Sequence, residues 1–186
     1  MVLIFSSFFL ITMVTLFSGF EFLSAQGNGP KASSSWFFDA KGVSSQRLSD
    51  KAGRFSGKII GVPSYKQLDA HSFYEFHGTD GFIIKENATG AEQGMPHEKF
   101  SLASWVRIDE GTANGGIIGC MQDNGNFEKG WLLGYDNEKF NFVISTLGAD
   151  DGDGKITSLR SKSSYQKGKW YHLAATYDGS SMRIYI

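Results

Sequence analysis

After residue 25 the chain alternates short apolar runs with turn-forming clusters. The runs predict strands over residues 36–38, 73–76, 82–84, 100–108, 117–121, 131–135, 140–145, 169–177 and 181–186. Residues 77–81 (HGTDG) read as a turn between two strands, and 41–57, polar and rich in Gly and Ser, as loop. Residues 136–139 (DNEK) and 178–180 (DGS) lie between apolar runs and mark hairpins; Asp-Gly in that setting is a strong short-range hairpin signal. No window past residue 25 carries helical periodicity. Segments 100–108 and 170–177 are apolar in both parities, which predicts central strands covered on both faces. The pattern therefore predicts an all-β fold, an antiparallel sandwich or jelly roll, rather than an α/β fold.

The two ends read differently. Residues 2–20 hold no charge and are dense in Phe, Leu, Ile and Val; Glu21 ends the run and Ser24-Ala25 precedes Gln26. This predicts a secretory signal peptide over residues 1–25, hence a secreted or extracytoplasmic protein. The run also has the length of a membrane span, so an uncleaved anchor stands as the alternative. Residues 26–35 (QGNGPKASSS) read as a flexible linker, which leaves 36–186 as the folded unit. The chain stops at Ile186 within an apolar run, and an unpaired apolar strand invites aggregation. The expectation is a domain incomplete at its C-terminus and covalently followed by further domains.

Composition narrows the function classes. Phe (16) and Gly (23) dominate over Pro (3), which suits strands and tight turns. With 18 basic and 19 acidic residues the net charge is −1, and no basic face that nucleic acid would require is evident. The single cysteine, Cys120, excludes an intrachain disulfide and a multi-cysteine zinc site; it reads as a buried, inert thiol. The four histidines, His71, His77, His97 and His172, show no metal spacing, and His172 within its apolar strand reads as a core residue. The glutamates are scattered through turns, and no nucleophile-elbow, P-loop or dinucleotide pattern occurs, so no catalytic residues are assigned.

Two loops carry candidate chemistry. Asp150, Asp151 and Asp153 sit on a Gly-bearing loop, where closely spaced carboxylates suit a calcium ion, although EF-hand spacing is not met. A plain acidic turn is the other reading. Asp123, Asn124 and Asn126 precede Trp131: amides and carboxylates bond sugar hydroxyls while an indole covers an apolar sugar face. A plain turn followed by a core tryptophan is the alternative, since Trp131, Leu133 and Tyr135 share one strand face. Residues 87–89 (NAT) match an N-glycosylation acceptor.

Three motifs then carry a resemblance. Residues 76–83 (FHGTDGFI) resemble the F-x-G-x-D-x-aromatic-aliphatic turn of laminin-G-like domains. Residues 100–106 (FSLASWV) resemble their Trp-bearing strand, and 168–179 (GKWYHLAATYDG) their Trp-to-Asp-Gly hairpin, followed by a partner strand at 182–186. The resemblance, to the laminin-G-like, concanavalin-A-like lectin and glucanase jelly roll, covers about residues 36–186. It implies an extracellular recognition module, commonly for glycans and often with a rim calcium, and in many cases part of a larger secreted bacterial protein. The E-x-D-x-x-E strand of related glucanases is absent. Within the apolar strands Trp105 and Trp170 read as core fillers. The expectation is a non-catalytic module for a glycan or extracellular protein ligand. A substrate-targeting domain of a hydrolase encoded beyond Ile186 and a structural or adhesive spacer are the competing readings.

Overall fold

The computed structural model describes residues 14–15, 34–38, 43–44, 46–51, 55–69, 71–83, 98–110, 113–123, 128–145 and 156–186. These form strands alone; among the described residues there is no helix. The strands are β1 (Val14–Thr15), β2 (Val43–Ser44), β3 (Arg47–Leu48), β4 (Gly57–Ile60), β5 (Ser64–Leu68), β6 (His71–Glu75) and β7 (Gly81–Ile83). They continue with β8 (Phe100–Arg107), β9 (Asn114–Asp123), β10 (Glu128–Asp136), β11 (Lys139–Ser145), β12 (Thr157–Arg160), β13 (Trp170–Tyr177) and β14 (Met182–Tyr185).

Two sheets make the sandwich, one ordered β1-β8-β13-β14 and the other β12-β11-β10-β9, with every pairing antiparallel. Period-two alternation turns one parity of each strand inward. From β8 these are Phe100, Leu102, Ser104 and Val106; from β13, Tyr171, Leu173, Ala175 and Tyr177; from β10, Trp131, Leu133 and Tyr135; from β11, Phe140, Phe142 and Ile144. Rings meet across the layers: Phe100 of β8 lies 5.4 Å from Trp131 and 6.0 Å from Phe142, and Tyr171 of β13 lies 5.2 Å from Phe140. The buried apolar area between these faces is the main stabilising term, since each fully buried large side chain contributes about 1.5–3 kcal/mol.

A third sheet, β2-β3-β4-β7, and the β5–β6 hairpin complete the fold. Phe38, Tyr74, Phe76 and Phe82 pack edge to face at one end of the same core. Segment 41–57, expected as loop, contains β2, β3 and the start of β4, and buries Leu48 to 1% exposure. Residues 36–38 contribute a single bridge, Trp36 to Asp50, rather than a strand. The strands around 77–81 do not pair with each other: β6 pairs with β5 and β7 with β4. Asp80 fixes that turn. Its buried carboxylate accepts the His77 amide at 2.6 Å, and Gly78 supplies φ = 92°.

The hairpins follow the turn chemistry. Asn137 and Glu138 both have positive φ (47° and 64°), as a two-residue primed turn needs. In the 178–181 turn the Asp178 carboxylate accepts the Ser181 and Ser180 amides (2.8 and 3.0 Å) and Arg183 (3.0 Å), which hold its acidity well below the usual carboxylate range.

Tyr165 closes the core between Tyr135 and Phe140. Burial, with Tyr135 and Glu138 adding to it, pushes its hydroxyl from 10 up to about 12. The unfolded chain therefore ionises Tyr165 first, and stability is lost as pH rises between those values. Alkaline melts from pH 9 to 12 are expected to show a steeper fall for the native chain than for Tyr165→Phe; parallel curves would contradict this placement.

Of the segment read as a leader, only Val14–Thr15 is described; it pairs with Val106 and Trp105 along the edge of β8. Among the described residues no helix is long and apolar enough to cross a membrane.

Candidate functional site

The outward parity of β8 and β13 carries a row of aromatic and charged side chains. The register places Trp105 opposite His172 and Arg107 opposite Trp170, with Ala103 opposite Ala174 and Ser101 opposite Thr176. The Trp105 indole and His172 imidazole lie 5.3 Å apart, tilted by 56°. One step along, the Arg107 guanidinium sits 5.4 Å from the Trp170 ring and 5.7 Å from Phe73, which β6 brings over this end of the sheet. Asp109 clamps the guanidinium with two contacts, Nε to Oδ1 at 2.8 Å and Nη2 to Oδ2 at 2.9 Å. His172 is exposed, and Trp105 and Trp170 are half-buried.

This corrects the expectation that Trp105, Trp170 and His172 fill the core. The inward position beside Trp105 is Ser104, 4% exposed, and the inward one beside Trp170 and His172 is occupied by Tyr171 and Leu173. Both strands are apolar in either parity, so the largest ring does not reveal the core face. The signal was in the polar members: Ser101 and Arg107 share Trp105's parity, while Phe100, Leu102, Val106 and Ile108 share the other.

The residues expected to bind ligand or metal fare differently. Trp131 lies in the core at 4% exposure, packed on Phe100, with its plane unavailable to a sugar. That corrects its assignment to the ligand set; Leu133 and Tyr135 on the same face, 0% and 1% exposed, explain it. Asp123 is the last residue of β9. Asn124, Asn126, Asp150, Asp151 and Asp153, like the acceptor Asn87, lie outside the described residues. Among the described residues no group of three or more His, Cys, Asp or Glu side chains is placed to hold a metal. The Cys120 thiol is 3% exposed, and burial raises its pKa, which suits an inert core group.

His77 has its Nδ1 3.1 Å from Asp80 and its Nε2 3.6 Å from Glu75. Among the described residues its partners are these two carboxylates. The outward row can instead hold a ligand: flat rings offer apolar contact, and Arg107 with Asp109 offers donors and acceptors beside them.

The family model for the concanavalin A-like lectin/glucanases superfamily, in its laminin G form, matches residues 78–186. The chain belongs to this superfamily. The match spans all strands of the two stacked sheets except β1, and includes the superfamily's binding-module sandwich from β8 to β14. Mouse and human pappalysin-1 are each 29% identical to the chain over 107 residues. The aligned region covers 52% of this chain and 6% of either pappalysin, so the likeness concerns one small part of those proteins. No solved structure matches the chain.

Proposed function

We propose that this superfamily member is a non-catalytic recognition module that holds a glycan against the outward face of β8 and β13. The supporting observation is the cross-strand Trp105–His172 pair beside the clamped Trp170–Arg107–Asp109 group. A pyranose has one apolar face and a ring of hydroxyls. The indole and imidazole suit the first, and Arg107 with Asp109, next in the row, suit the second. The sheet pre-sets the spacing of these groups, which lowers the ordering cost of binding.

The test is a glycan array followed by calorimetry on the hits. Trp105→Ala is expected to weaken binding by roughly tenfold or more, equivalent to about 1.4 kcal/mol, with the melting temperature little changed. Hits whose affinity survives Trp105→Ala, or an array without hits, would discard the proposal.

A further inference from the structure

The outward face of the β1-β8-β13-β14 sheet carries a second aromatic group beyond the Trp105–His172 pair. The register sets Tyr185 of β14 opposite Ala174 of β13, which itself lies opposite Ala103 of β8. These three share the outward parity with Trp105 and His172, whose row is the next along the strands. Tyr185 is 52% exposed, and Ala103 is exposed as well, so this row opens to solvent. The other parity of β14, Met182 and Ile184, packs against the core.

Three neighbouring rows make a shallow trough that runs across the strands. Its floor is Ala103 and Ala174, whose side chains end at Cβ. One wall is Trp105 with His172; the other is Ser101, Thr176 and Arg183, aligned in register. Tyr185 stands at the β14 end of the floor. One wall therefore offers rings, and the opposite wall offers hydroxyls and a guanidinium. Charge narrows what fits. Arg183 pairs with Asp178 at 3.0 Å, and Arg107, in the row beyond Trp105, pairs with Asp109 at 2.8 Å. Both guanidinia on this face are thus already balanced by a carboxylate.

We infer that the trough holds a linear, neutral oligosaccharide of at least three sugar units, with Trp105 and His172 against one unit and Tyr185 against another; this rests on the glycan reading of the Trp105 face. The length follows from the sheet. Two strand spacings across and one two-residue rise along separate the Cα atoms of Trp105 and Tyr185 by about 12 Å. A single pyranose is far shorter, so one unit cannot cover both rings, whereas a chain of three reaches from one to the other. The middle unit lies over the alanine methyls, where a larger side chain would lift it away. Its hydroxyls can donate to and accept from Ser101 and Thr176 and accept from Arg183. An acidic chain would find both guanidinia paired and their carboxylates beside them, an unfavourable juxtaposition of like charge.

The experiment is an NMR titration of the full chain with cello-, manno- and xylo-oligosaccharides of one to six units. In at least one series affinity is expected to rise about tenfold between the disaccharide and the tri- or tetrasaccharide, then to level off. Tyr185→Ala is expected to bring the longer sugars down to the disaccharide's affinity while leaving the disaccharide's unchanged. Tyr185→Phe, which keeps the ring, is expected to retain the gain. The exposure of Tyr185 means that neither change disturbs the core. No binding in any series, affinity independent of length, or a gain that survives Tyr185→Ala would overturn the inference, as would array hits confined to acidic glycans. Array hits lost in Trp105→Ala but indifferent to Tyr185→Ala would discard the extended trough and leave the first reading standing.

Discussion

Phe142→Ala is expected to destabilise the fold by about 3–5 kcal/mol, a large share of the roughly 5–15 kcal/mol typical of a domain. Phe142 is fully buried at the middle of β11, with Leu133 and Leu159 as its register partners. Its ring meets Phe100 of the opposite sheet edge-on at 6.0 Å. Removing it opens a void between two layers whose backbones are each tied by their own ladders, so collapse around it is limited. Urea unfolding followed by tryptophan fluorescence checks this: the midpoint should fall with the slope unchanged. Val62→Ala, at a position 87% exposed, serves as the control and should stay within about 0.5 kcal/mol. A Phe142→Ala loss below about 1 kcal/mol, well under the usual core range, would contradict the interlayer contact.

Gly130→Ala is expected to be nearly as damaging, for a backbone reason. Gly130 has φ = 114°, and a Cβ there would run into the carbonyl of Cys120 on the neighbouring strand. The strained conformation and the overlap together cost roughly 2–6 kcal/mol. Gly168 gives the comparison. It also has positive φ (76°), but a Cβ would meet nothing nearer than 4.0 Å, so Gly168→Ala carries the conformational cost alone. Thermal melts of the two variants should rank Gly130→Ala well below Gly168→Ala; equal melting temperatures would contradict the close approach of β9 and β10.

How far the sequence reveals the fold follows from which signals are local. The β10–β11 and β13–β14 hairpins were legible because Asn and Asp-Gly turns sit between apolar runs, and the structure pairs Asp136 with Lys139 and Tyr177 with Met182. Strands β4, β5 and β12 were not. Lys58, Lys66, Gln67 and Ser158 place polar side chains in short strands with exposed positions, which removes the apolar run a sequence reader relies on. At 77–81 the turn residues mark a bend but carry no information on strand partners, and β6 and β7 part to different sheets.

The candidate site was less legible for a related reason. A strand apolar on both faces signals its inward parity only through its few polar members, in β8 Ser101 and Arg107, until a neighbour fixes the register. Pairing Trp105 with His172 and Arg107 with Trp170 builds the outward row, a long-range event between strands separated by four others in the chain. Trp131 shows the converse, an aromatic next to a polar loop that the strand parity turns inward.

Aromatic nuclear Overhauser spectra test most directly which parity of β8 faces the core. Cross-peaks from Phe100 to Phe142 and to Trp131, and from Trp105 to His172, are expected. Contacts from the Trp105 indole to Phe142 or Leu133, with Phe100 facing solvent, would reverse the strand and remove the recognition face with it.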